Sequence, residues 1–256
     1  SKGVKPIAGA DVWIANAQEP DRPYRLLLLV RSHAGYLQLC ELLSRAYLAP
    51  ARRDRAEIQR EWFAEVGCDG LLALSAAHQG DVGEALLAGH QDEAQHRAEA
   101  WAALFPDAFY LEVQRYGQPQ QEALVQATAD LEAATGLPLV ATHPIQFLAP
   151  DDFLAHEARV CIAEGYVLAD TRRPRPYTEQ QYFSTQEEMA ERFQDLPEAL
   201  ANTVEIAKRC NLTLTLGKNY LPLFPTPEGM TLDDFLIDEA KKGLEERLAQ
   251  LYPDAE

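Results

Sequence analysis

Leu137–Leu148, LPLVATHPIQFL, is the stretch on which the reading of this chain turns. Its first half is a short apolar run (Leu137, Leu139, Val140, Ala141) with the character of a buried strand. It then runs out into Thr142-His143-Pro144-Ile145-Gln146. In folds that alternate strand and helix, sites gather at that end of the strands. A metal-dependent phosphoester chemistry would need carboxylates and imidazoles there. The chain offers one histidine, then a proline, an isoleucine and a glutamine.

Working outward, strand-like and helix-like segments alternate. Pro6–Ala15 alternates loosely and ends at the polar, proline-bearing NAQEPDRP, a turn. Tyr24–Val30, YRLLLLV, is a nearly continuous aliphatic run, as expected of a strand covered on both faces. Ala34–Tyr47 and Ile58–Val66 carry apolar residues at helical spacing. GLLALS at 70–75 is a strand, followed by a short helix over Asp81–Leu87 and an alanine-rich one over Gln91–Leu104. FYLEVQ at 109–114 is the next strand, Glu122–Thr135 a helix, and then comes the Leu137 strand. Beyond it, Phe153–Glu164 is helical and 165–182 an irregular Arg- and Pro-rich loop. Ser184 with Glu187 has the spacing of a capping box opening a helix. Glu198–Arg209 is a further helix, and Asn211–Leu216 is β-rich. Tyr220–Pro227 is a linker, and Thr231 with Asp234 opens a last amphipathic helix. Such alternation predicts a parallel sheet or barrel with helices outside.

The chain has 256 residues, enough for one sizeable core. No apolar run is long enough to span a membrane. The four cysteines (Cys40, Cys68, Cys161, Cys210) are scattered, which argues for free thiols in a cytoplasmic protein rather than a zinc site. The net charge of −17 disfavours strong direct binding to DNA phosphates. Two basic clusters, Arg52-Arg53-Asp54-Arg55 and Arg172-Arg173-Pro174-Arg175, have the character of solvated loop charge, with a partner surface as the alternative. Neither G-x-x-x-x-G-K nor G-x-G-x-x-G occurs, so those phosphate-cradling loops are absent.

Several stretches resemble one family. GVKPIAGADV (3–12), LLALSAAHQGDVG (71–83), FYLEVQRYG (109–117), PLVATHPIQFL (138–148) and DLPEALANTVEIAKRCNLTLTLGKNYLPLFP (195–225) are similar, in order, to the N-terminal region of bacterial replicative DNA polymerase III alpha subunits. The resemblance implies a PHP (polymerase and histidinol phosphatase) domain over 1–210, a distorted (β/α)7 barrel. Residues 211–256 would then be a linker and the first helix of the polymerase palm. It implies that the first strands, with a His-x-His motif, precede this chain. The barrel would accordingly be open at an edge that a crystal neighbour or a second copy of the chain would cover.

Intact family members hold a metal cluster at the strand ends and hydrolyse phosphoesters. The resemblance maps that site onto Asp11, Ala77, Tyr116, Pro144 and Gln146. Only Asp11 among these is an anionic ligand; His143 and His78, at strand exits, are the nearby imidazoles. Metal cations crowded within about 4 Å of one another need several anionic ligands. The expectation is therefore no catalytic residue, no cofactor, and a vestigial pocket. It is also that His156 makes a structural bond to backbone or carboxylate, that Glu112 pairs with an arginine, and that Asp151-Asp152 starts a helix. The function implied is a fragment of the replicative polymerase that acts as a silent scaffold. Its partners would be the proofreading exonuclease subunit and other replicase subunits. The alternatives are an active metal-dependent phosphoesterase or 3'-5' exonuclease, which would need a divalent metal, and a free-standing α/β interaction module.

Overall fold

The computed structural model describes residues 3–49, 55–219 and 221–252. The chain divides into two units, Ser1–Thr213 and Leu214–Glu256. In the first, strands β1 (Gly9–Ile14), β2 (Tyr24–Val30), β3 (Glu57–Ile58), β4 (Leu71–Leu74), β5 (Phe109–Gln114) and β6 (Leu139–Thr142) form one sheet in the order β3-β1-β2-β4-β5-β6. Helices α1 (His33–Leu48), α2 (Trp62–Val66), α3 (Asp81–Leu87), α4 (Gln91–Leu104), α5 (Gln121–Thr135), α6 (Phe153–Glu164), α7 (Gln186–Arg192) and α8 (Pro197–Arg209) surround it. This is the mixed α/β, PHP-barrel-like architecture that the sequence implies.

The sheet is not wholly parallel. β1 pairs with β2 antiparallel, and β2 with β4 antiparallel, while β1–β3, β4–β5 and β5–β6 are parallel. The β1–β2 link spans only residues 15–23, too short for a crossover helix, so the pair must be a hairpin. Two reversals bring β1 back into the direction of β4. The register then aligns Asp11 with Leu27 and Leu27 with Leu74. That alignment sets Asp11 beside the strands whose C-terminal ends carry the site. Among the described residues no pairing joins the outer strands β3 and β6. The Asn202 side chain of α8 donates to the Leu139 carbonyl of β6 at 2.7 Å.

The core lies between the sheet and α1, α3, α4 and α5. Leu26, Leu28, Val30, Leu71, Leu72 and Leu74 are all but inaccessible, and each such aliphatic side chain contributes about 1.5–3 kcal/mol by its burial. Phe63 packs edge-on against Trp101 and Phe105. The Trp101 indole N–H donates to the buried Asp81 carboxylate at 2.9 Å, so the largest core ring leaves no orphaned donor. Helix α1 starts against the sheet through two glycines: a Cβ on Gly35 would lie 1.7 Å from the Gly70 carbonyl oxygen.

Some local expectations need correction. Ile58 is the end of β3, not the start of a helix. No strand forms over 211–216, because an alternating segment without a neighbour to pair with gains nothing from its pattern. The capping box lies one residue on, with Thr185 and Glu188 exchanging side chain–backbone bonds at 3.2 and 2.7 Å. Asp152 caps its turn as expected, its carboxylate accepting from Ala149 N at 3.0 Å. In the second unit, Thr231 caps helix α9 (Leu232–Leu251), and Phe224 packs on Phe235 at 5.4 Å. Among the described residues no helix is long and apolar enough to cross a membrane.

Candidate functional site: a polar pocket at the strand ends

The C-terminal ends of β4, β5 and β6 and the flank of the β1–β2 hairpin enclose a cavity of about 640 Å³. Side-chain alternation decides what it contains. On β2, Leu26, Leu28 and Val30 point to the core, so Arg25 and Leu27 face the cavity. On β5, Leu111 and Val113 go one way, and Glu112 and Gln114 the other. The structure brings Asp11, Tyr116, His78, His143, Pro144 and Gln146 together around this space. Ala77 stands just behind, in the wall of a smaller adjoining pocket of about 190 Å³ that also touches His78, Glu112 and Tyr116.

The carboxylates here and His143 are already engaged. Asp11 faces Arg25 at 3.5 Å, and partial burial raises its carboxyl above the usual range while Arg25 opposes the rise. Glu112 is buried, and among the described residues no arginine pairs with it. Its Oε1 accepts from the Thr142 hydroxyl and from Gln114 Nε2 at 2.8 Å. Burial raises its pKa; those bonds and the Ala76 N–H hold it back. His78 lies tilted against the Tyr116 ring, centroids 6.4 Å apart, and burial lowers its pKa. Burial also raises the Tyr116 phenol, with the Glu112 charge adding to it.

His143 is the most constrained. Arg192 Nη1, at the end of α7, lies 3.0 Å from Nδ1 and 3.4 Å from Nε2. Burial lowers the imidazole pKa, and the Arg192 charge lowers it further. Arg115, just beyond β5, holds that helix end: it donates to the Arg192 carbonyl at 2.8 Å and to Asp195 at 2.6 and 2.9 Å. A guanidinium against both nitrogens of the one imidazole at 143 does not fit a divalent cation at the same place. Among the described residues no group of three His, Cys, Asp or Glu side chains is arranged to hold a metal. The residues present do not fit the family's metal cluster.

The corner that closes the pocket is strained. Ala76 and Ala77 both have positive φ, 58° and 45°, a region that L-residues other than glycine, asparagine and aspartate rarely enter. Ala77's carbonyl crowds α3 so closely that a Cβ on Gly83 would lie 1.9 Å from it.

The segment 165–183 forms the remaining wall through Pro176, Tyr177 and Gln181. Here the loop-charge expectation fails in part. Arg173 is buried and paired with the buried Glu157 of α6, whereas Arg172 is 86% exposed and paired with Asp170. Arg52, Arg53 and Asp54 lie outside the described residues. His156 bonds neither backbone nor carboxylate: its Nδ1 accepts from Arg159 at 3.1 Å, and its ring meets Tyr177 edge-on. Sequence reasoning missed this anchor. The signal was Glu157 in the stripe Phe153–Glu157–Cys161, since a carboxylate on an apolar stripe demands a buried cation.

The PHP domain family model matches residues 1–116. Over 256 residues the chain is 56% identical to a DNA polymerase III subunit alpha of Neisseria meningitidis serogroup A, covering 99% of this chain and 22% of that protein. It is 49% identical over 251 residues to that of Pseudomonas aeruginosa (98% and 21%) and 45% identical over 254 residues to that of Escherichia coli K12 (99% and 22%). The chain thus spans about a fifth of the length of the curated relatives it matches.

Proposed function

From a chain with a PHP domain match at residues 1–116 and likeness along its length to DNA polymerase III alpha subunits, we infer a scaffold within the replicative polymerase. In this reading the strand-end pocket binds no metal and performs no hydrolysis, and the domain serves to dock a proofreading exonuclease subunit. The observation that carries it is Arg192 set against both ring nitrogens of His143. Arg25 beside Asp11 has the same effect on the pocket's one partly exposed carboxylate. Fixed guanidinium groups occupy the neighbourhood in which metal cations would have to sit, and like charges a few ångströms apart repel by about 4 kcal/mol at an effective dielectric of 20. The remaining neutral lining (Tyr116, Gln146, Gln181) can hold a surface in shape, and burial together with the Glu112 charge opposes ionisation of its one phenol, Tyr116.

The test is metal analysis after equilibration with Zn²⁺ or Mn²⁺, together with phosphodiester hydrolysis, on this chain and on the full-length subunit alike. The expected result is no stoichiometric metal and no metal-dependent turnover. Binding of the purified exonuclease subunit is measured beside it by size-exclusion chromatography, with Arg172→Glu as the loop-charge variant. Arg173 is unsuited to charge reversal, being buried. Stoichiometric metal with metal-dependent hydrolysis would defeat the scaffold reading.

A further inference from the structure

Nothing in the local sequence asks for two consecutive alanines in the left-handed region. Ala76 (φ 58°, ψ 27°) and Ala77 (φ 45°) lie between β4 and α3. Such a conformation persists where the surroundings impose it, and it gathers at switches and binding sites. Here the surroundings converge on one side chain. Before the corner, Ser75 is tied to β5 twice. Its N–H donates to the Tyr110 carbonyl at 3.0 Å, and its Oγ accepts from Glu112 N at 2.9 Å. At the corner, the Ala76 N–H is turned to the Glu112 carboxylate and stabilises its charge. Thr142 of β6 and Gln114 Nε2, the latter at 2.8 Å, donate to the same carboxylate. One buried anion therefore sits where three strands end and grips the strained backbone through a charge-assisted bond.

The rest of the corner is lightly held. The turn that follows has two backbone bonds, from Gln79 N to Ala76 O at 3.0 Å and from Gly80 N to Ala77 O at 3.3 Å. His78, carried on that turn, makes no hydrogen bond among the described residues; its ring lies tilted against Tyr116. Where α3 comes closest, it presents Gly83, whose added Cβ would lie 1.9 Å from Ala77 O, so no side chain interlocks there. The corner also divides two cavities. His78, Glu112 and Tyr116 line both the strand-end pocket of about 640 Å³ and the adjoining one of about 190 Å³. Ala76 faces the larger and Ala77 the smaller.

We propose that the Ala76–Ala77 corner is a two-position element. Glu112 holds it strained, with His78 in the wall between the cavities; release of Glu112 lets both alanines return to negative φ, carries His78 out of that wall and joins the cavities. The device belongs to the fold of the first unit and does not depend on the docking reading.

Amide hydrogen exchange on this chain tests it, read at Gln79 and Gly80, whose bonds span the corner, with Leu71–Leu74 as the internal standard. Glu112→Gln keeps the side chain's shape and removes its charge. It should speed exchange at 79 and 80 about 10-fold, the scale of one charge-assisted hydrogen bond, and leave 71–74 unchanged. Adding Ala76→Gly should restore most of the protection, because glycine occupies the left-handed region without strain. Ala76→Gly alone should slow exchange at 79 and 80 about 3-fold. Exchange at 79 and 80 that is unchanged in Glu112→Gln, or that rises only in step with 71–74, would overturn the proposal. If Glu112→Gln does not fold, Ala76→Gly decides: slower exchange at 79 and 80 supports the device, and equal or faster exchange overturns it. The second readout is magnetic cross-relaxation between the His78 imidazole and the Tyr116 ring, whose centroids lie 6.4 Å apart. It should vanish in Glu112→Gln and return with Ala76→Gly. Its survival in Glu112→Gln would show that His78 stays in the wall, and the two-position reading would fall.

Discussion

Replacing Ala76 with glycine should stabilise this protein, although it enlarges no contact. Ala76 sits at φ 58° and ψ 27° between β4 and the turn that leads to α3. A left-handed L-residue costs about 1–2 kcal/mol, a cost that glycine escapes. Glycine in turn gives the unfolded chain more freedom, which takes back about 0.4–1 kcal/mol. The Ala76 side chain is only half-buried, so little burial is lost, and the net should be a gain of about 0.5–1 kcal/mol. Ala77, at φ 45°, supplies the control. Its methyl is 4% exposed, and deleting it forfeits about 0.8 kcal/mol more. Ala77→Gly should therefore come out near neutral. The assay is urea unfolding followed by tryptophan fluorescence; Trp13, Trp62 and Trp101 all lie in the first unit, so the signal reports on the right body. A raised midpoint at constant slope for Ala76→Gly, with Ala77→Gly unmoved, is the expected pair. Loss of about 0.5 kcal/mol or more from Ala76→Gly at unchanged slope would refute the strain argument.

Two further outcomes follow from buried polar groups. Glu157→Gln leaves Arg173 buried without its counter-charge, so amide hydrogen exchange should quicken across 165–183; replacing both residues by Met should slow it again, and equal exchange in all three proteins would show that the pair anchors nothing. Stability should fall as pH drops below about 6.5, because burial lowers the folded-state pKa of His78, His143 and His156 and the unfolded chain then binds more protons. The joint variant His78→Gln/His143→Gln should flatten the melting temperature between pH 7.5 and about 5.5, and an unchanged slope there would count against these imidazoles.

Local pattern made most of the first unit legible. The aliphatic runs at 24–30, 71–74 and 139–142 could be little but buried strands, and the rule that sites lie where such strands end led directly to His143 and Gln146, while Tyr116 came from the family resemblance. What stayed hidden was set by pairing at long range. The antiparallel β1–β2 hairpin was readable from its short link, but the alternation of strand and helix outweighed it. A two-residue strand such as β3 leaves no periodicity to detect. Glu112 was expected to meet an arginine; it meets Thr142 and Gln114 instead, because the neighbouring parallel strand sets the Thr142 hydroxyl two residues beyond Val140, the register partner of Glu112, and so on the same face. Nothing within twenty residues of His143 announces Arg192, which arrives on a helix fixed from β5 by Arg115.

That last arrangement bears on what the pocket can be. A site that holds metal ions must keep its imidazoles and carboxylates free of fixed cations, because the ion and the guanidinium compete for the same lone pairs. Here the two arginines are not adrift on the surface. Arg25 is fixed by its place on β2 and by stacking over the Trp13 ring at 4.0 Å. Arg192 is held through its own carbonyl by Arg115, whose side chain is only 15% exposed and is itself gripped by Glu122 and Asp195. Moving the Arg25 side chain aside would give up its stack on Trp13 and its ion pair with Asp11, and moving that of Arg192 would give up its contacts with His143 and Met189. The positive charge at these strand ends is thus part of the fold. Its removal is a structural perturbation first and a change of ligand chemistry second.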